Sequence, residues 1–287
     1  MSQRVKHLPR FSLAHLPLLL FIAFFGYFFA YPIGKVIFLA FMSNDHKFTL
    51  DNFATAIKFP YSAGFKGSLR LGLISAALSA IPGAYAAYII DSKGNARIKN
   101  VIAAMNGVLA NTGGIPLAFA FTAAIGINGY LTLLLKNAGI DIYAGHFALG
   151  TFTGIVIVYL YFQVPLMIIV FTPAISVIRK EWQEAAKNLG ANSSQFWRFI
   201  GFPLLFPSFI ASFLLLFANG FSAYATANAL TVGNVPLTPL QIAGLLNGNV
   251  SAGQANLGKS LAVMMILISA SAIIPYLVIQ NRVQKWR

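Results

Sequence analysis

One stretch of the sequence contains the residues of a phosphate-binding loop. Residues 253–260 match the pattern G-x-x-x-x-G-K-[ST], with Lys259 as its lysine, and in such loops backbone amides and the lysine hold nucleotide phosphates. A working loop follows an apolar strand and needs a carboxylate that helps to hold magnesium. Here the preceding residues 246–252 are mostly polar or small, and no acidic residue follows Glu184. We therefore predict a flexible loop before the last helix, with Lys259 reaching toward the membrane surface, and no nucleotide site.

A second candidate lies in a polar segment between two long apolar stretches. Residues 176–189 can form a short helix that ends at Gly190, because glycine suits the left-handed conformation just beyond a helix end. Asn192 or Ser193 can cap a following helix, and Pro203 can open the next long one. The pattern predicts a compact helix-turn-helix.

The chemistry that this second candidate offers is protein binding. Ala185 and Ala186 form a patch of small side chains where another surface can approach closely, and Glu184 places a charge beside them. Neither candidate contains a clustered nucleophile, a set of metal ligands or a pair of acids, and the chain has no cysteine. We predict no catalytic residue and no metal site.

The composition decides which elements position these residues. The chain has 287 residues, of which 58% are hydrophobic and 9% are charged, against about 25% charged residues in soluble proteins. A soluble protein of this size could not cover its surface with so few charges, and a disordered chain would not contain so much apolar mass. The composition therefore predicts a polytopic membrane protein.

The charge-free stretches of the sequence set the number of membrane helices. A spanning helix needs about 20 largely apolar residues, with its backbone polar groups bonded internally. We predict an all-α, single-domain protein over residues 1–287 with a polar loop at 173–202. The six predicted spans lie near 16–38, 68–90, 101–125, 148–172, 203–228 and 258–280.

The positions of the basic residues predict the orientation, because lysine and arginine accumulate in cytoplasmic loops. If both termini are cytoplasmic, most of the 20 basic residues fall on the cytoplasmic side. These residues are Arg4, Lys6, Arg10, Lys93, Arg97, Lys99, Arg179, Lys180, Lys187, Arg198, Arg282, Lys285 and Arg287. The loop at 173–202 is then cytoplasmic as well. The formal net charge of +14 is explained by this bias, so we predict no nucleic-acid partner.

The second candidate resembles the EAA signature of binding-protein-dependent ABC importer permeases, E-A-A-x3-G-x9-I-x-L-P. Phe202 replaces the leucine, and the other signature positions match. The matching residues are Glu184, Ala185, Ala186, Gly190, Ile200 and Pro203. The resemblance extends to the whole chain, with six predicted spans and the motif between the fourth and the fifth. It implies the type I ABC importer permease fold.

The resemblance also implies a function, partners and roles. In that family the EAA loop is a coupling helix that docks into a separate ATPase subunit, which carries ATP and magnesium. Glu184 would be the charged contact, Ala185 and Ala186 the close-packing face and Gly190 the turn, while Ile200 and Pro203 would fix the start of the fifth span.

The expected protein is thus a non-catalytic permease subunit in the bacterial cytoplasmic (inner) membrane. It would pair with a second, identical or different permease subunit and with an extracytoplasmic solute-binding protein, and translocate a small polar solute by alternating access. A narrower resemblance, in residues 221–227, is to permeases that import polyamines, thiamine, ferric iron or phosphonates.

Polar side chains inside the predicted spans are candidates for the solute path, because burying them in hydrocarbon is costly unless they are used or satisfied. They can equally join helices to each other. The candidates are Asn106, Asn111, Thr112, Gln163, Asn219, Ser222, Tyr224, Thr226 and Asn228. Ser222 and Thr226 would share one helix face. Gly113, Gly114 and Pro116 predict a break or bend in the third span.

Two other classes of function remain as alternatives. An ion-coupled secondary transporter usually has a carboxylate inside the membrane, and no Asp or Glu falls inside a predicted span. An integral membrane enzyme would need clustered catalytic groups, which the sequence lacks.

The predicted orientation can be tested with single cysteines at Asn192 and Asn249, because the chain has no other cysteine. On intact cells, a membrane-impermeant thiol reagent should label Asn249→Cys and leave Asn192→Cys unlabelled until the cells are broken. If the reagent labelled Asn192→Cys and not Asn249→Cys on intact cells, the predicted orientation would be wrong.

Overall fold

The computed structural model describes residues 16–43, 45, 47–145, 147–231, 234–248 and 254–284. Over these residues the chain is helical, and the one extended pairing is a bridge between Met42 and Phe48. Six helical runs are long and apolar enough to cross a membrane. They are Pro17–Ala40, Tyr61–Ser92, Ile115–Asn137, Phe152–Ile175, Ser193–Ser222 and Ala255–Ile279. The predicted all-α architecture with six spans is confirmed.

The first span consists of helices α1 (Leu16–Phe25) and α2 (Tyr31–Ala40), joined by the π-helical segment Gly26–Ala30. Pro32 lies in the first turn of α2, and a proline cannot donate the backbone hydrogen bond that continues an α-helix. The wider turn therefore lies just before the proline. α2 packs against the last helix, α14 (Ala255–Gln284), whereas no part of the apolar window of the first span is buried.

The centre of the bundle is built from three long helices, α4 (Tyr61–Lys93), α8 (Phe152–Ile175) and α11 (Phe202–Ser222), which all contact one another. The short helix α3 (Asp51–Ala56) precedes α4. Glycine allows the closest approach: a Cβ atom on Gly220 of α11 would lie 2.6 Å from Nε2 of Gln163 and 2.9 Å from Oγ of Ser75. This crossing fixes α11 against the other two helices.

The predicted third span, 101–125, falls on two helices, α5 (Ala96–Asn111) and α6 (Ile115–Ile125). The break between them confirms the prediction from Gly113, Gly114 and Pro116. Length and composition alone select a later window, Ile115–Asn137, which includes helix α7 (Tyr130–Asn137). The charge-free stretch 100–135 contains the predicted span, whereas the later window extends beyond it and includes Lys136.

Contacts at both ends show that α5 and α6 together extend across the bundle. At the start of α5, Nζ of Lys99 lies 3.1 Å from Oδ1 of Asp91 at the end of α4. At the other end, the Tyr143 hydroxyl donates to the carbonyl of Ile125, 2.8 Å away. Burial raises the pKa of Tyr143, partly offset by a hydrogen bond with the backbone of Leu149. The predicted third span, 101–125, therefore lies within the residues of α5 and α6.

The predicted fifth span, 203–228, also falls on two helices. α11 ends at Ser222, and α12 (Ala225–Thr231) begins after a gap of two residues. Helix α13 (Thr238–Leu246) then packs against α4 and α14. Among the described residues, the predicted third and fifth spans are therefore each divided between two helices, and we refer to them below as the broken spans.

The segment that resembles a phosphate-binding loop is the start of α14, and Gly253 lies outside the described residues. The Lys259 ammonium donates to Oδ1 of Asn256 at 2.8 Å, and the Asn256 amide donates to the carbonyl of Met42 at 3.0 Å. The element before it is helix α13, not a strand. These contacts join the last helix to the end of the first span.

We expect Gly220→Ala to destabilise the bundle by about 1–3 kcal/mol, because the added methyl group overpacks the crossing at Gln163 and Ser75. Gly107→Ala on α5 is the matched control, since its Cβ atom would meet nothing within 4 Å. The measurement is the midpoint of thermal unfolding in detergent. Equal midpoints for Gly220→Ala and Gly107→Ala would contradict the tight crossing.

Candidate functional site

The loop between the fourth and fifth spans contains the EAA-like residues. Its helix α9 (Lys180–Asn188) begins four residues later than the sequence predicted, because Arg179 is extended, with ψ of 143°. The end is as predicted: Gly190 has φ of +81°, the left-handed conformation that favours glycine.

Two backbone hydrogen bonds close the end of α9. The Ala191 amide donates to the carbonyl of Ala186 and the Gly190 amide to the carbonyl of Lys187, each at 2.9 Å. This pair of bonds is the Schellman arrangement, which satisfies carbonyls that a helix end leaves unpaired. The turn at Gly190 is therefore fixed by local bonds.

The next helix begins immediately after this turn. Of the two predicted caps, Asn192 is the one used: its Oδ1 accepts from the Gln195 amide at 2.8 Å, and Gln195 Oε1 accepts from the Asn192 amide at 2.9 Å. Helix α10 (Ser193–Phe196) continues through the π-helical segment Trp197–Gly201 into α11. Pro203 lies in the first turn of α11, as predicted. One cap thus starts a continuous helical run that enters the fifth span.

The EAA-like residues do not all face the same way. Glu184 and Ala185 are exposed, and Glu184 has no hydrogen-bond or ion-pair partner in the part of the chain that the structure describes. Ala186 is buried, at 8% exposure. The expectation that both alanines present one close-packing face therefore needs correction, because Ala186 packs within its own chain. Ile200 and Pro203 are exposed at the start of the fifth span.

The two broken spans meet each other. The Gly114 amide, at the start of α6, donates to Oγ1 of Thr226 on α12 at 2.8 Å, and this hydroxyl donates to the Gly114 carbonyl at 3.2 Å. Gly114 has φ of +78°. On the fifth span, the carbonyl of Ala223 accepts from the hydroxyl of buried Tyr159 at 3.1 Å. The Thr226 hydroxyl therefore gives the Gly114 amide a partner, and the Tyr159 hydroxyl gives one to the Ala223 carbonyl, while the Gly114 carbonyl also accepts from the Ala118 amide inside α6.

The depth of these breaks follows from the contacts of α8. Gln163 lies at the middle of this helix, and its Nε2 donates to Oγ of Ser75 at 3.2 Å. Gly220 lies beside both side chains, so α11 ends only two residues beyond the middle of the bundle. Non-helical backbone at membrane depth is tolerated where protein buries it or where it lines a water-filled cavity. The breaks are thus the strongest candidate for a solute path.

The predicted path residues divide into three groups. Asn106, Gln163 and Thr226 are buried, and Thr112 and Asn219 are half-buried. The exposed residues are Asn111, Ser222, Tyr224 and Asn228. Several of these bond their own helix, as when the Asn111 amide donates to the carbonyl of Gly107 at 2.8 Å.

One expectation about the fifth span is wrong. Ser222 and Thr226 do not share a continuous helix face, because the helix stops between them at Ala223 and Tyr224. The Ser222 hydroxyl bonds back to the carbonyl of Ala218 at 2.8 Å and is exposed, whereas Thr226 is buried against Gly114. The structure thus brings Thr226 to the break and leaves Ser222 exposed at the end of α11, where it lines a cavity with residues of α14 such as Met265.

Sequence reasoning missed Ser75, Tyr159 and Gly220, and it gave Gly114 a role only in the break of the third span. A serine within a small-residue run and a tyrosine in an apolar helix give no distinctive signal on their own. Tyr159 bonds to Ala223, which is 64 positions away, and Ser75 bonds to Gln163, which is 88 positions away. Such long-range contacts cannot be seen in the sequence.

The comparison with known proteins decides the family. Residues 12–287 match the family described as "Binding-protein-dependent transport system inner membrane component". The chain belongs to this family. The permease is therefore a multi-pass membrane protein of an ABC import system, with the type I importer permease fold that the EAA resemblance implied.

Solved structures share the fold of this permease. Two chains from bacterial ABC transporters match it at TM-scores of 0.67 and 0.71, with 16% identity and 95% coverage of both chains in each case. The first transporter is described as involved in the import of the acidic polysaccharide alginate. The second is in complex with an alginate pentasaccharide-bound periplasmic protein.

One curated relative of the permease matches over part of its length. The "Probable starch degradation products transport system permease protein AmyD" of Thermoanaerobacterium thermosulfurigenes is 32% identical over 120 residues, which cover 42% of this chain and 41% of that protein. The named relatives concern carbohydrates, so the narrower resemblance to polyamine, thiamine, iron and phosphonate permeases stays a prediction.

We expect Tyr159→Phe to loosen the break in the fifth span, because it deletes only the hydroxyl that binds the Ala223 carbonyl. The loss of one buried hydrogen bond is worth about 1–3 kcal/mol. Hydrogen exchange over residues 220–227, followed by mass spectrometry in detergent, should be faster in this variant.

Tyr161→Phe is the matched control, because Tyr161 is 38% exposed and its hydroxyl has no partner among the described residues. Unchanged exchange in Tyr159→Phe would contradict the stabilising role of the hydroxyl.

Proposed function

We propose that this chain is the membrane-spanning permease subunit of an ATP-driven, binding-protein-dependent importer, which moves a small polar solute by alternating access. The observation that carries the proposal is the loop between the fourth and fifth spans. There Glu184 and Ala185 of α9 are exposed on the surface of the chain. Within the described chain, α9 contacts mainly α10. A helix exposed in this way, with an unpaired carboxylate, is suited to docking in a separate protein.

The proposed partner at this loop is an ABC ATPase subunit, which would bind ATP and magnesium, so that the permease itself has no cofactor and no catalytic residue. A second permease subunit, identical or different, would complete the path. An extracytoplasmic solute-binding protein would deliver the solute. The subunit would lie in the bacterial cytoplasmic membrane with both termini and α9 in the cytoplasm, as the bias of basic residues favours.

We further propose a carbohydrate as the solute. The names of the relatives support this class, and so does the chemistry near the breaks, where Asn111, Thr112 and Tyr224 offer neutral amide and hydroxyl groups. A cationic solute such as a polyamine would call for carboxylates inside the membrane. All six acidic residues lie in loops, in the short helices α3 and α9 or at the end of α4.

Alternating access needs a two-state element that ATP can bias. ATP binding would draw the two ATPase subunits together, and each docked α9 would move with its subunit. The bonds at Ala191, Gly190 and Asn192 make α9 and α10 a fixed corner. Displacement of α9 would therefore move α10 and the start of the fifth span with it, because no flexible loop separates them.

The proposal predicts that Glu184→Ala weakens recovery of the ATPase by about tenfold or more, because a charge-assisted hydrogen bond is worth about 1.5–3 kcal/mol. Glu181→Ala is the matched control, since Glu181 is exposed on the same helix. The measurement is affinity purification of the assembled complex, with mass spectrometry of the partners and any bound solute. Recovery of no ATPase with the unmodified permease would overturn the proposed function.

We expect Gly190→Val to abolish ATP-dependent uptake while the six spans still insert, because a β-branched residue is strained at positive φ. Gly139→Val is the matched control: Gly139 has φ of +85° in a loop at the opposite end of the bundle, and its Cβ atom would meet nothing within 4 Å. Uptake of a labelled starch hydrolysate into vesicles containing the complex is the measurement. Full uptake by Gly190→Val would contradict the role of this turn.

A further inference from the structure

The π-helical segment Trp197–Gly201 places one aromatic side chain between the loop and the membrane bundle. Phe202 closes the wide turn by donating its amide to the Trp197 carbonyl. Phe196, which ends α10, is buried, and Trp197 is half-buried against the core of the bundle. π turns inside α-helices often occur at functional positions. The segment lies where the corner formed by α9 and α10 joins the fifth span.

The Trp197 indole contacts α4 through an edge-to-face aromatic pair. Its ring centroid lies 5.0 Å from that of Tyr88, at an interplanar angle of 89°, which is the geometry that aromatic pairs prefer. Phe196 and Phe202 pack against the same indole, at centroid distances of 6.0 and 5.7 Å. The indole is therefore held on three sides.

Gly201 makes room for this side chain. A Cβ atom on Gly201 would collide with Cε3 of Trp197 and lie 2.8 Å from Cζ3. Any larger residue would displace the indole from Tyr88. The π turn and the glycine together set the position of Trp197.

Tyr88 lies at the end of α4 where three other elements converge. One turn later, Asp91 pairs with Lys99 of α5 and lies 3.5 Å from the hydroxyl of Ser176, just beyond α8. A push on Tyr88 therefore acts on the joint between α4, α5 and α8. The helix that contributes Ser75 to the central crossing is this same α4.

We propose that Trp197 is a positioning residue for energy coupling, which transmits displacement of the α9 and α10 corner to α4 through Tyr88. This inference rests on the proposed function, since it concerns the response of the permease to its ATPase. Trp197 acts through its edge-to-face contact with the Tyr88 ring, and Gly201 leaves the space that the indole occupies in this contact.

The experiment uses the assembled complex and needs no knowledge of the solute. Gly113→Cys provides a probe at the break in the third span, because a Cβ atom there would meet nothing within 4 Å and the chain has no other cysteine. The readout is the ratio of its alkylation rates by N-ethylmaleimide with and without ATP and vanadate. Retention of the ATPase is measured in the same samples.

In this background, Trp197→Leu should reduce the effect of ATP on the alkylation rate about tenfold, in line with the loss of an edge-to-face aromatic pair, while the ATPase is retained. Gly201→Ala should also reduce the effect of ATP on the alkylation rate, because its methyl group would displace the indole that this variant retains. Trp197→Phe should restore most of the response, because it restores a ring.

Phe199→Leu is the matched control, because it makes the same kind of change within the same π turn at a side chain that is 69% exposed. A full ATP response in both Trp197→Leu and Gly201→Ala would overturn the proposal, as would an equal loss in Phe199→Leu. If Trp197→Leu does not assemble, Gly201→Ala and Tyr88→Leu decide the question. A parent complex that retains the ATPase but shows no ATP response would overturn the proposed alternating access together with this proposal, whereas one that binds no ATPase would overturn the proposed function.

Discussion

The structure depends on one constraint, which is that backbone polar groups at membrane depth must find partners inside the protein. Two spans of this permease are interrupted near the middle of the bundle, and each interruption leaves amides or carbonyls that the helix cannot satisfy. The Thr226 hydroxyl binds both the amide and the carbonyl of Gly114, and the Tyr159 hydroxyl binds the carbonyl of Ala223. These bonds join α6 to α12, and α8 to the residue that follows α11.

The loop between the fourth and fifth spans meets the same requirement by local means. The end of α9 is satisfied by amides at Gly190 and Ala191, and the start of α10 by the side chain of Asn192. All of these groups lie within six residues of each other in the sequence. A corner with locally satisfied bonds can move as a unit against another protein, whereas the breaks in the membrane can change only if α6, α8 and α12 change together.

This difference explains what could be predicted from the sequence. The six spans follow from hydropathy, and the turn at Gly190 follows from residue type, because both depend on local properties. The break at Gly114 also has a local signal in its glycines and proline. The break at Ala223 has none, since neither glycine nor proline occurs there, and the buried Tyr159 that holds it lies on another helix. The sequence alone therefore predicts one continuous face for Ser222 and Thr226. It also predicts that Ala186 contacts a partner, because the burial of Ala186 within the chain depends on the tertiary fold.

The two regions are connected by α4, and the course of that helix decides how motion at one end reaches the other. Between Tyr88 and Ser75 lies Pro82, which removes a helical hydrogen bond and so weakens the helix at that point. The next residue, Gly83, is packed so tightly on α8 that a Cβ atom there would lie 2.6 Å from the Cβ atom of Met167. The stretch of α4 between Tyr88 and Ser75 thus combines a lost helical hydrogen bond with a close contact to α8. The displacement that we propose at Tyr88 would have to pass through this stretch to reach Ser75 and its bond with Gln163, beside the end of α11.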